Sequence, residues 1–249
     1  MNDRDSPFLG APRRRKHSLF AHVVEQLGSR IVRGDLKPGV TLPNEADLGR
    51  ELGASRSVVR EAVKSLAAKG LLEPRARIGT RILESRHWNL LDLDVLSWRY
   101  ASMPRAQFFR ELFEIRRMIE PEAAMLAAQR GTDAEIAAIE TAYEGMETSK
   151  TTSDEAIEAD LSFHRQILAA AHNPLLHQMG SLIGVGLLVS YRISKDPFTV
   201  FLSKHKDVLI AIKKRKPEAA KKAMDLLLTG TQEFLEQETK PKARRKVVA

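Results

Sequence analysis

Two groups of side chains in this 249-residue sequence have the types and the spacing for chemistry. The first is Asp160-Leu161-Ser162-Phe163-His164, which sets a carboxylate and an imidazole one helical turn apart, beside Ile157, Ile167 and Ala171. His205 falls on a later helical stretch whose buried side is marked by Val208, Leu209 and Ile212. Carboxylates and imidazoles that face an apolar core are costly unless paired or metal-bound. One carboxylate with two imidazoles suits one divalent ion of borderline softness, Zn²⁺, Ni²⁺ or Mn²⁺. An Asp–His hydrogen-bonded pair without metal meets the same requirement. The second group is basic: Ser55-Arg56-Ser57-Val58-Val59-Arg60, with Lys64 one turn further on. Arg56, Arg60 and Lys64 recur every four residues, on the face opposite Val59, Val63 and Leu66. Guanidinium groups can grip guanine O6 and N7, and Ser55 and Ser57 at a helix start can reach phosphates. The alternative is a solvated basic helix face.

The elements around these residues favour the first of those two readings of the basic group. Phe20, Val23, Val24, Leu27 and Ile31 have helical spacing, stopped by Gly34, Pro38 and Gly39. Asn44 predicts an N-cap for a helix over 45–52 that ends at Gly53. Ser55 caps a third helix over 56–69, ended by Gly70. Two short helices joined by a tight glycine turn have helix-turn-helix spacing. The runs 71–73 and 80–83 flank Pro74-Arg75-Ala76-Arg77-Ile78-Gly79 and predict a basic hairpin, or wing. Arg75, Arg77 and Arg81 there would add phosphate or minor-groove contacts. Residues 85–104 read as a linker whose Trp88 and Trp98 pack one domain on the other. Beyond Pro104, helices are expected near 105–130, 133–149, 153–172, 174–194, 198–215 and 217–238. His172 and His177 flank Pro174 and suit a turn better than a shared ligand. The predicted fold is mainly α: an N-terminal winged helix-turn-helix plus a C-terminal antiparallel all-α helical bundle. Its divisions are a disordered basic tail at 1–17, the DNA-binding domain at 18–84, the linker, an effector-binding and dimerisation domain at 105–238, and a basic tail at 239–249.

Composition agrees with that division. The net charge of +8 divides into +6 over residues 1–84, −3 over 85–239 and +5 over the last ten. A basic module ahead of an acidic body is expected of a polyanion binder fused to something else. The absence of cysteine excludes disulfides, thiolate zinc knuckles and cysteine nucleophiles. No apolar run reaches the roughly 18 residues of a membrane span, and no secretory signal opens the chain, so a soluble, cytoplasmic protein is expected. Glycine phosphate loops, nucleophile elbows and His-Glu-x-x-His pairs are also absent.

Pro38-Gly39, Leu42-Pro43, Glu45, Leu48, Leu52-Gly53, Ser55-Arg56, Val59-Arg60-Glu61-Ala62 and Gly79-Thr80 resemble the DNA-binding domain of GntR-family bacterial transcription regulators. The resemblance covers about residues 18–84. It implies that Arg56 and Arg60 contact bases and that Gly79-Thr80 is the wing tip. One departure is Ala46, where the family often has arginine after the glutamate. Glu114-Ile115-Arg116, Ile119-Glu120-Pro121, Ala123, Asp160…Phe163-His164, Asn173-Pro174 and His205 resemble the helical ligand-sensing domain of the FadR-type branch, over about residues 105–235. Many such domains hold a metal with an aspartate and three histidines, and the metal helps bind a small carboxylate effector. Asp160, His164 and His205 match three ligands; the fourth position aligns with Leu227. By the same resemblance Arg116 matches a pocket arginine that could pair with the effector carboxylate. Its alternative is a surface ion pair with Glu120 at i+4. Residues 87–98 and Ala171-His172-Asn173-Pro174 resemble the galactonate-responsive repressor subgroup, which regulates sugar-acid catabolism.

The expected function is a homodimeric repressor of a sugar-acid or other small-carboxylate operon. Its partners would be double-stranded operator DNA and an effector such as galactonate or gluconate, bound at Arg116, Asp160, His164 and His205. The expected DNA contacts are Ser55, Arg56, Ser57, Arg60, Lys64, Arg77, Gly79 and Thr80. Two rivals are a metal-dependent hydrolase using Asp160, His164 and His205, and a constitutive DNA-binding protein without effector.

Overall fold

The computed structural model describes residues 18–149, 154–180, 183–184 and 198–238. Both basic tails, and much of the helix expected over 174–194, lie outside these residues. The chain divides into two compact units, Met1–Met103 and Pro104–Ala249.

In the first unit, α1 spans Leu19–Val32 and is capped by Ser18, whose hydroxyl accepts from Ala21 N at 3.2 Å. Helix α2 is Glu45–Leu52; the Asn44 side chain accepts from the Ala46 and Asp47 amides, both at 3.0 Å, and Gly53 ends the helix in the left-handed conformation. Helix α3, Arg56–Ala68, buries Val59, Ala62, Val63 and Leu66. Strands β1 (Leu72–Arg75) and β2 (Gly79–Ile82) form the antiparallel wing, pairing Leu72 with Ile82 and Arg75 with Gly79. The segment before α2 joins this ribbon: Leu42 N donates to Thr80 O at 2.8 Å and Ile82 N to Val40 O at 2.9 Å. Gly79 makes the close approach possible. Its φ is +107°, and a Cβ there would lie 2.8 Å from the Thr41 methyl.

The linker expectation does not hold. Residues 85–87 form a 3₁₀ turn, and Leu93–Ser102 form α4, capped by Asp92. Val95 and Trp98 of α4 complete the core built by Val23, Leu27, Leu48, Val59 and Leu66. Both tryptophans pack within the first unit. The Trp98 ring fills the space over Gly28, where a Cβ would come within 2.2 Å of it, and its indole N–H donates to Glu25 at 2.8 Å. Trp88 packs on the same core and donates to Leu83 O.

The second unit is a helical bundle: α5 (Arg105–Arg130), α6 (Asp133–Thr148), α7 (Asp154–Ala170), α8 (Pro174–Gln178), α9 (Phe198–Lys213) and α10 (Pro217–Glu238). Helix α5 packs on α10 and α7, α6 on α7 and α9, and α9 on α10. A capping box between Thr132 and Glu135 starts α6. Helix α7 stops at Ala170, and His172 takes a left-handed turn conformation (φ 51°) with its ring on Glu135 at 2.9 Å. The helix expected from Pro174 ends at Gln178, with Met179 as its cap. No helix among the described residues is long and apolar enough to cross a membrane.

Candidate functional site

The DNA-reading candidates converge on one side of the first unit. Thr41, Asn44, Glu45, Arg56, Arg60, Gly79 and Thr80 all line one concavity of about 660 Å³ between α2, the start of α3 and the wing. Of the predicted DNA contacts, Arg56, Arg60, Gly79 and Thr80 share it. Ser55, Ser57, Lys64 and Arg77 lie outside its lining. The Ser55 hydroxyl caps α3 through Val58 N at 3.4 Å and lies 2.9 Å from that of Ser57. Lys64 pairs with Glu61 at 2.8 Å. Arg77 occupies the wing tip with φ 66°.

Glu45 is the residue that sequence reasoning missed on this face. Its carboxylate takes three contacts from Arg60: Nε at 2.9 and 3.1 Å, and Nη2 at 2.7 Å. The hydrogen bond from Arg60 is the main reason that the Glu45 carboxyl lies below its ordinary range. The pair joins residues 15 apart in sequence, a spacing with no periodic signature.

Among its described residues the second unit buries five charged or ionisable side chains together: Arg116 and Glu120 are 1% exposed, Asp160 3%, His164 2% and His205 7%. Asp160, His164 and His205 each offer a ligand atom, all within 4.8 Å of one another. Asp160 Oδ1 is 2.9 Å from His205 Nε2 and 3.7 Å from His164 Nε2. Although close to the carboxylate, His205 Nε2 makes no hydrogen bond among the described residues, so the ring nitrogen is not aimed along an N–H···O line. The outer nitrogen of His205 is held from behind, its Nδ1 lying 2.9 Å from Phe201 O, whereas His164 Nδ1 approaches Glu120 Oε2 to 2.5 Å without hydrogen-bond alignment. Both Nε2 atoms lie within 3.7 Å of Asp160 Oδ1, close enough for one cation to be shared by the three side chains. The three donors therefore fit a divalent metal. Leu227 is buried and supplies no donor, and among the described residues no fourth His, Cys, Asp or Glu joins the set.

Arg116 Nε donates to Glu120 Oε1 at 2.5 Å. The pair foreseen at i+4 exists, but its expected place on the surface is wrong: both partners are buried. Burial pushes the Glu120 carboxyl up, yet Arg116 and His164 outweigh it and hold it at about 2. Arg116 Nη1 has no hydrogen-bond partner among the described residues, and the guanidinium lies 4.9 Å from the Phe113 ring centre. Phe109, Phe113, Arg116, Glu120, Ala123 and Ala127 form one buried stripe at alternating steps of three and four.

A winged helix-turn-helix joined to a helical bundle with a buried polar cluster defines a DNA-binding transcription regulator with a separate second domain. The model for bacterial regulatory proteins of the gntR family matches residues 19–82, and that for the FCD domain matches residues 111–230. The HTH-type transcriptional regulator YieP of Escherichia coli K12 is 35% identical over 208 residues, 83% of this chain and 90% of its own. The galactonate operon transcriptional repressor of the same organism is 36% identical over 161 residues, 65% of this chain and 70% of its own. A solved structure of Lar, described as controlling the Listeria monocytogenes agr system, has a TM-score of 0.65 at 20% identity, covering 88% of this chain and 97% of that one, a likeness of fold. This chain belongs to the GntR family, in the FadR-type branch that carries an FCD domain. It is a regulator and not an enzyme, which sets the hydrolase reading aside.

Proposed function

We propose that this regulator is a homodimeric repressor that leaves its operator when a small hydroxy-carboxylate enters the bundle. The observation that carries the effector reading is the buried cluster: a guanidinium nitrogen without a partner beside three converging metal donors. Arg116 would pair with the effector carboxylate. Asp160, His164 and His205 would hold one divalent ion, Zn²⁺, Ni²⁺ or Mn²⁺, which supplies a Lewis-acidic anchor for ligand oxygens. Similarity to the galactonate operon repressor favours a sugar acid such as galactonate or gluconate.

On the DNA side, Arg56 and Arg60 would read bases. Ser55, Ser57 and Lys64, with Arg77, Gly79 and Thr80 of the wing, would meet the phosphate backbone or the adjacent groove. A two-fold dimer places its recognition helices about one turn of DNA apart, so the operator would be palindromic. Effector and operator must weaken each other's binding by the same factor. The test is mobility shift on duplexes selected from a random library, with galactonate, gluconate or L-lactate then added. Binding, release by one acid, and loss of binding in Arg56→Ala/Arg60→Ala are expected. Failure of the native protein to select any duplex refutes the reading, and selection without release by any acid favours a constitutive binder.

A further inference from the structure

We propose that Glu45 sets base specificity by buttressing Arg60, a role that rests on the reading of Arg60 as a base contact. Glu45 is the first residue of α2, and the Asn44 cap fixes the backbone on which it stands. Its carboxylate meets the edge of the guanidinium, engaging Nε and Nη2. A guanidinium carries five N–H donors. The fork with Glu45 takes Nε–H and one proton of Nη2, which leaves both Nη1 protons and the other Nη2 proton at the far end. That end has the two-pronged geometry that matches guanine O6 and N7. Arg60 is 60% exposed on the concave side shared with Arg56 and Thr80, so the far end is open to a groove.

Charge makes the placement informative. An acid on a DNA-facing surface repels phosphate and weakens sequence-independent attraction. Fixing Arg60 restricts a side chain that could otherwise turn to phosphates or other bases. The carboxylate therefore exchanges general affinity for discrimination, a device of specific binders. A rival role exists: Glu45 itself could accept from a cytosine N4 amine. The two roles differ in their dependence on Arg60.

The experiment is selection from a random duplex library, followed by affinity measurements on the selected duplex, on its single-position variants and on an unselected duplex. The proteins compared are native, Glu45→Gln, Glu45→Asp, Arg60→Ala and Glu45→Gln/Arg60→Ala, all as full chains with matched melting midpoints. Arg60→Ala identifies the guanine position that Arg60 reads. At that position Glu45→Gln is expected to lower the preference for guanine about tenfold, while affinity for the unselected duplex rises. Glu45→Asp, one methylene too short for the fork, should behave likewise. In the Arg60→Ala background, Glu45→Gln should change no base preference. Unchanged guanine preference in both Glu45 variants, an equal loss on every duplex, or a Glu45 effect that persists without Arg60 overturns the proposal. Selection of no duplex by the native protein refutes instead the base-contact reading on which it rests.

Discussion

Replacing Glu120 by glutamine tests whether the buried polar cluster is an electrostatic unit. Arg116 and Glu120 are each 1% exposed and 2.5 Å apart, so neither charge is relieved by water. Removing one partner of such a pair typically costs about 3–5 kcal/mol, because the other charge stays buried. Two features place this variant near the lower end. The glutamine carbonyl can still accept from Arg116 Nε, and the Phe113 ring at 4.9 Å offers the cation partial compensation. A loss of about 3 kcal/mol from a bundle of this size lowers its midpoint by about 6–12 °C. Both tryptophans lie in the first unit, which gives a built-in control. Helix content followed by circular dichroism should show the shifted transition, whereas tryptophan emission should hold its native midpoint. Arg116→Met/Glu120→Leu, which removes both charges, should recover much of the loss. A Glu120→Gln shift below about 1 kcal/mol, a double variant weaker than the single one, or an equal shift in tryptophan emission would refute the reasoning.

Three further outcomes follow from other parts of the structure. Adding Zn²⁺, Ni²⁺ or Mn²⁺ to chelator-treated protein should raise the bundle's midpoint, because a ligand of the native state stabilises it; Asp160→Asn should remove that rise, and Glu120→Gln should weaken affinity about 10–100-fold by loosening His164, both read by calorimetric titration. Gly28→Val should displace the Trp98 ring from α1, destabilise the first unit by about 1–3 kcal/mol and move tryptophan emission to longer wavelength; native emission in this variant would contradict the packing. The Thr132 amide, with His172, holds the Glu135 carboxyl below its ordinary value of 4.5, so its contribution is present above that value and fades as pH falls through the lowered one; Glu135→Gln should flatten acid-limb stability in melts from about pH 6 to 3, and an unaltered profile would count against it.

Local signals made the reader legible. Caps at Asn44 and Ser55, the left-handed Gly53 and the wing glycine Gly79 act within a few residues, so each can be read without knowing what the chain packs against. The same holds for Asp160 and His164, one turn apart on a helix that the apolar period defines. Three features were not legible for one shared reason. Helix α4 is held by Trp98 over Gly28 and on Glu25, 73 residues away. Glu45 acquires its role from Arg60, across the turn between two helices. Arg116 and Glu120 look like an ordinary surface pair at i+4 until α5 turns their stripe inward.

The sequence alone determined most of the elements and their order, α4 excepted, and which side chains could bind DNA or a cation, because propensity, capping and periodicity are short-range. Only the tertiary structure decided which charges share a site and in what dielectric they sit. That second decision gives the cluster its chemistry: the same Arg116–Glu120 pair would be screened and nearly neutral in water, but it becomes a strong constraint when 1% of each partner is exposed.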